Sequence, residues 1–117
     1  MLVALDECTA DNGTIEIAPV VLYDNFEEYV DDTVKEPLDP YLKPEIAGNM
    51  QFEPIIMKPG DVVVFSSRCP HRSGTNTTNK HRRLMYYTYN LASDGEHREQ
   101  YFNDKFELNK EQPKALQ

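Results

Sequence analysis

No histidine precedes position 71 in this chain of 117 residues, and only three occur in all. A metal centre built from several histidines in the first seventy residues is therefore excluded. Cysteine is nearly absent as well: Cys8 and Cys69 lie far apart, without the spacing of a zinc or dithiol motif, and read as buried small hydrophobes. That usage suits a reducing compartment, and a cytoplasmic location is the expectation. No apolar run approaches the roughly 18 residues needed to cross a bilayer. The opening Met1-Leu-Val-Ala-Leu-Asp-Glu7 lacks the basic lead and small-residue cleavage site of a signal peptide. Basic residues are scarce: 12 Lys and Arg face 20 Asp and Glu, for a net charge of −8. Nonspecific binding to nucleic acid is disfavoured on that balance, and neither nucleic acid nor membrane is expected as a partner.

The apolar fraction of 39% and charged fraction of 27% belong to a globular domain, and the length predicts one domain over residues 1–117. Leu2 to Leu5 reads as a short strand and Thr14 to Ala18 alternates with period two. The Asn12-Gly13 pair between them predicts a β-hairpin. Residues 24–32 read as a short acidic helix capped by Asp24 or Asn25. Pro37, Pro40 and Pro44 make residues 33–51 a loop or lid. Further strands are predicted over Phe52–Met57, Asp61–Phe65 and Arg82–Tyr89. The run Asp61–Phe65, apolar on both faces, is expected in the middle of a sheet. Ser93-Asp94-Gly95 is a turn, Glu96–Leu108 a helix, and the last nine residues a frayed end. The sum is a mostly antiparallel β fold with one or two peripheral helices.

Chemistry is concentrated in residues 58–90. A Pro59-Gly60 turn and a buried strand lead to His71 and a short polar loop, and eleven residues beyond the histidine Arg82 opens an aromatic strand. A metal ligand and an anion clamp on neighbouring paired strands, facing one interior, would be laid out in this way. Each residue also has an ordinary reading. His71 could simply cap a strand end, and Arg82 and Arg83 could both be solvated charges. Strand parity sends Arg82 and Arg83 to opposite faces, so only one of them can serve an interior site. His81 and His97 sit in polar runs without partners at metal spacing, and Gly74 with Asn76 reads as turn-shaping. Tyr86, Tyr87 and Tyr89 read mainly as core, with one of them a candidate cavity wall.

Several of these segments resemble the phytanoyl-CoA dioxygenase family. They are Ala4-Leu-Asp6 with Asn12-Gly13, Pro59-Gly-Asp-Val-Val-Val-Phe65, His71-Arg-Ser-Gly-Thr-Asn76, and Arg82-Arg83 leading to Tyr87-Thr-Tyr-Asn90. The tail segments Ser93-Asp-Gly-Glu-His-Arg98 and Tyr101-Phe-Asn-Asp-Lys105 are similar too, so the likeness spans roughly residues 2–105. The resemblance implies a partial double-stranded β-helix of the jelly-roll, cupin-like kind. It implies Fe(II)- and 2-oxoglutarate-dependent hydroxylation of a small organic substrate, with O2 as co-reactant. His71 would be the second histidine of the iron triad, Arg82 the clamp on the distal carboxylate of 2-oxoglutarate, and Ser73 a further donor to it. The residues between the hairpin and the Pro59-Gly60 strand would help cover the site.

The family's His-x-Asp pair, which belongs upstream of the first strand, has no counterpart here. The chain is accordingly expected to be the C-terminal portion of such a domain and to be inactive alone. It would then be a non-catalytic fragment, or a subunit completed by another chain. Self-association or a complementing polypeptide is expected through exposed strand edges. A cupin-like binding protein without oxygenase chemistry is the remaining alternative.

Overall fold

A computed structural model of the chain describes residues 1–22, 26–31 and 40–111, with side chains through residue 107. The described residues form six short strands: β1 (Leu2–Ala4), β2 (Ile15–Ile17), β3 (Glu53–Pro54), β4 (Val62–Val63), β5 (His71–Ser73) and β6 (Leu84–Tyr86). Three helices accompany them: α1 (Phe26–Tyr29), α2 (Pro44–Ala47) and α3 (Arg98–Glu111). A 3-10 turn at Ala92–Asp94 ends on Gly95 at φ 88°, in the predicted place. The fold is mostly β, as expected.

The strands make two three-stranded sheets, ordered β4-β1-β6 and β3-β2-β5, and every pairing is antiparallel. Along the chain every step except β2 to β3 crosses from one sheet to the other, which is consistent with a cupin-like, mostly β fold. One apolar cluster joins them: Leu2 and Ala4 from the first sheet meet Ile15 from the second, with Cys8 and Met57 between. Ile17, Ile55, Val63, Phe65 and Leu84 pack against that cluster. Burying these side chains between two inner faces supplies the main favourable term for so small a domain. Cys8 and Cys69 are both free thiols and both buried, as anticipated.

Three expectations are corrected. The first is the hairpin, since β1 and β2 lie in different sheets and do not pair. Asn12 is 1% exposed, its side-chain oxygen accepting the Thr9 N–H at 2.8 Å and its amide donating to the Glu7 carbonyl at 2.7 Å. Gly13 takes φ 75°, and a Cβ there would come within 2.4 Å of the Gly74 carbonyl oxygen. The Asn-Gly pair therefore turns inward to let two loops touch, carrying the chain across between sheets instead of folding a ribbon.

The second correction concerns Asp61–Phe65. Strand β4 is an edge strand, and Val62 and Val64 are 53% and 75% exposed. Its two apolar faces do not mark a central position, because among the described residues nothing covers the outer one. The third is a missed strand. His71 does not end the preceding strand but starts β5, in the other sheet, after a turn at residues 67–69.

The acidic helix is present as the four residues of α1, while its caps Asp24 and Asn25 lie outside the described residues. The predicted loop 33–51 contains α2, started by Pro44, and residues 32–39 lie outside the described set. The frayed-end expectation falls partly on helix α3 and partly on residues 112–117, also outside it.

Candidate active site

Register decides which side chains face the interior, because alternate residues of a strand point to opposite faces and cross-strand partners share one. In the second sheet Ile15 opposes Ser73 and Ile17 opposes His71. Ile15 is buried in the core, so Ser73 and His71 share the inward face with it. Arg72 is turned outward, where its Nε donates to Glu16 at 2.6 Å and its guanidinium lies over the Phe52 ring. In the first sheet Leu2 opposes Tyr86 and Ala4 opposes Leu84, which makes Tyr86 and Leu84 inward. Two residues before Leu84, Arg82 has the same parity.

His71 thus lies on the inner face of β5, and Arg82 lies two residues before β6; the two strands are not paired. β5 pairs with β2 and the strand that Arg82 opens pairs with β1, which corrects the expectation of neighbouring partners. Both strands are sheet edges. That is why His71 and Ser73 remain exposed and Arg82 is only half-buried.

The His71 ring is held at two points. Its Nδ1 lies 2.9 Å from the Cys69 carbonyl oxygen. A carbonyl only accepts, so Nδ1 carries the hydrogen and the lone pair of the neutral ring sits on Nε2. Histidines that bind metal are commonly oriented by such a bond on the other nitrogen. Phe65, packed against the core, meets the ring edge-on at a centroid distance of 5.2 Å. Phe65 is the residue that reading the sequence missed. Its signal was the alternation that puts Val63 and Phe65 on one face and Val62 and Val64 on the other.

The two adjacent arginines are differently employed. Arg83 donates from Nε and Nη2 to the two carboxylate oxygens of Asp6 at 2.8 and 2.9 Å, and its backbone N–H adds a third bond. These bonds hold the Asp6 carboxyl well below the usual carboxylate range. Among the described residues the Arg82 guanidinium has no hydrogen bond, ion pair or ring contact. Its charge is nonetheless felt inside: burial pushes the Cys8 thiol up, and Arg82 opposes that rise. Arg83 is thus tied to Asp6, and the half-buried Arg82 keeps a planar fork without a partner among the described residues, a shape matched to a carboxylate.

Ser73 stands one inward step from His71, and among the described residues its hydroxyl makes no hydrogen bond. His81 and His97 are exposed, and Asn76 shapes its loop by accepting from the Thr78 N–H and donating to the Lys80 carbonyl. The tyrosines are not core as expected: Tyr86, Tyr87 and Tyr89 are 65%, 40% and 72% exposed. Among the described residues no three His, Cys, Asp or Glu side chains cluster to hold a metal ion. Nor is any helix among them long and apolar enough to cross a membrane.

Two antiparallel sheets, an oriented imidazole and a guanidinium unpaired among the described residues belong to a mostly β, cupin-like fold. Residues 1–84 match the family model described as Phytanoyl-CoA dioxygenase (PhyH), and the chain belongs to that family. It is 36% identical over 107 residues to the 2-aminoethylphosphonate dioxygenase of uncultured bacterium HF130_AEPn_1, covering 92% of this chain and 38% of that one. It is 35% identical over 103 residues to the methylphosphonate hydroxylase of Gimesia maris, covering 88% and 37%. The chain thus spans less than two-fifths of the length of these relatives. No solved structure matches it.

Proposed function

We propose that this chain forms the cosubstrate-binding side of a non-haem Fe(II)/2-oxoglutarate-dependent dioxygenase that hydroxylates a small organophosphonate. The carrying observation is the division of labour between Arg82 and Arg83, with Asp6 occupying the outer arginine and the inner one left unpaired. In this reading Arg82 grips the distal carboxylate of 2-oxoglutarate through two parallel charge-assisted bonds, and the Ser73 hydroxyl donates to it. His71 contributes one imidazole through Nε2, kept in that tautomer by the Cys69 carbonyl.

The donors present fit one corner of an iron site and not a whole one. Such iron is held by two histidines and a carboxylate, and among the described residues His71 has no companions. When bound, iron with 2-oxoglutarate and O2 supplies the oxidising power for C–H hydroxylation. The residues of this chain orient the cosubstrate, and the apolar faces of Leu2, Ile17 and Phe65 limit water. A cytoplasmic setting goes with the two free thiols.

One imidazole alone does not complete such a site, and the edges of β5 and β6, unpaired among the described residues, favour association with a further strand, whether of this protein, of a second copy or of a complementing chain. The phosphonate substrate is taken from the names of the two relatives.

A chimera tests the proposal: this chain replaces the matching 38% of the 2-aminoethylphosphonate dioxygenase, and succinate release is followed with Fe(II), 2-oxoglutarate and 2-aminoethylphosphonate. Succinate formation abolished by His71→Ala and by Arg82→Ala is the expected result. A well-folded chimera whose turnover survives both substitutions would remove the proposal.

A further inference from the structure

The inner face of strand β6 carries a residue that the cosubstrate site does not use. Tyr86 opposes Leu2, which is 1% exposed, so the tyrosine points to the interior by register, yet 65% of it is open. Its place on an edge strand leaves this inward ring accessible. His71 lies toward the same end as Tyr86: it opposes Ile17 at the far end of β2, and Phe65, beyond Val63 on the Leu2 row, touches its ring. Arg82 lies toward the other end. The inward positions 86, 84 and 82 span about 13 Å at ~3.3 Å per residue. Arg82's charge is felt by Cys8 in the Asp6–Thr14 crossing.

From this arrangement we propose that Tyr86 is a substrate-contacting residue, its ring against the carbon chain of a small phosphonate and its hydroxyl donating to a phosphonate oxygen. The inference rests on the dioxygenase reading and extends it to the substrate. Among the described residues the Tyr86 hydroxyl makes no hydrogen bond, whereas that of Tyr87, on the outer face, is directed at Met85 Sδ at 3.4 Å. A phosphonate entering a chain of net charge −8 needs donors within the site. Arg82, the inward cation, is at the far end and is committed to 2-oxoglutarate. At the His71 end the phenol supplies both an apolar face and a proton donor.

The experiment is a titration of the 117-residue chain, carrying ring-labelled tyrosine and Nε-labelled arginine, first with 2-oxoglutarate and then with methylphosphonate. The expected result is a saturable methylphosphonate shift of the Tyr86 ring with the Tyr87 ring unmoved. Binding should weaken about tenfold in Tyr86→Phe and stay at the parent value in Tyr87→Phe. Parental binding by Tyr86→Phe, a shift that avoids Tyr86, or no binding at all overturns the inference. If 2-oxoglutarate moves Arg82 while methylphosphonate misses Tyr86, this inference alone falls. If 2-oxoglutarate does not reach Arg82, the dioxygenase reading falls and takes the inference with it.

Discussion

Asp6 and Arg83 lock together across 77 residues of sequence, the guanidinium donating to both carboxylate oxygens while the Arg83 backbone N–H donates to one of them. The pair ties the Asp6 turn to the start of β6 and so fixes where the neighbouring Arg82 emerges. Because the folded state depresses the Asp6 titration, its contribution is present above the ordinary carboxylate range and is lost as pH falls below it. Thermal unfolding followed from pH 6 down to pH 2 should show the parent losing stability that Asp6→Asn never had. The two curves should draw together, without fully meeting, as pH falls toward 2.

In the chimeric enzyme Arg82→Ala should raise the KM for 2-oxoglutarate about 10- to 100-fold, the range for losing hydrogen bonds to a charged group. Arg82→Lys should restore part of the loss, because it keeps the charge but not the planar fork. Arg83→Ala should alter stability and leave that KM near the parent value. Steady-state kinetics on the three variants decides the matter.

His71 is oriented by a backbone carbonyl that no substitution removes, so the test falls on the ring itself. In the chimera His71→Ala should abolish retention of iron through gel filtration. The isolated chain should retain none in either form, since one imidazole does not make a tight site. Iron analysis of the eluted protein gives the answer.

Gly13 combines a left-handed backbone with a near contact to Gly74. Gly13→Ala should therefore destabilise the domain by about 2 kcal/mol or more, combining the left-handed backbone cost with displacement of a carbonyl. Chemical denaturation would show it as a lower midpoint at unchanged slope. Gly60, also at positive φ but with open space around it, should tolerate alanine better.

Edges left unpaired among the described residues of both sheets should make the isolated chain associate as its concentration rises. Light scattering across a concentration series should show that growth, and a lysine replacing Met85 on β6 should reduce it.

The sequence made the β class legible because period-two alternation at Ile15–Ile17 and the apolar run at Leu2–Ala4 each mark an inward face. Arg82 and Arg83 were separable for the same reason, since parity alone sends them apart. What the pattern could not show was which strands pair. Asn12-Gly13 carries the local signature of a ribbon, but burial of the Asn12 amide and the approach to Gly74 are long-range facts. The strand at His71 was hidden because His-Arg-Ser lacks β-branched residues, and its pairing with Ile15–Ile17 holds it extended. Exposure of Val62, Val64 and Tyr86 depends on what covers the sheets, and composition carries no record of that.

The most direct test of the account is the arginine Nε–H spectrum of the isolated chain as 2-oxoglutarate is added. A saturable shift confined to Arg82 is expected, with Arg83 unmoved in its bond to Asp6. A spectrum in which Arg82 stays still, or in which every arginine shifts together with added anion, would contradict it.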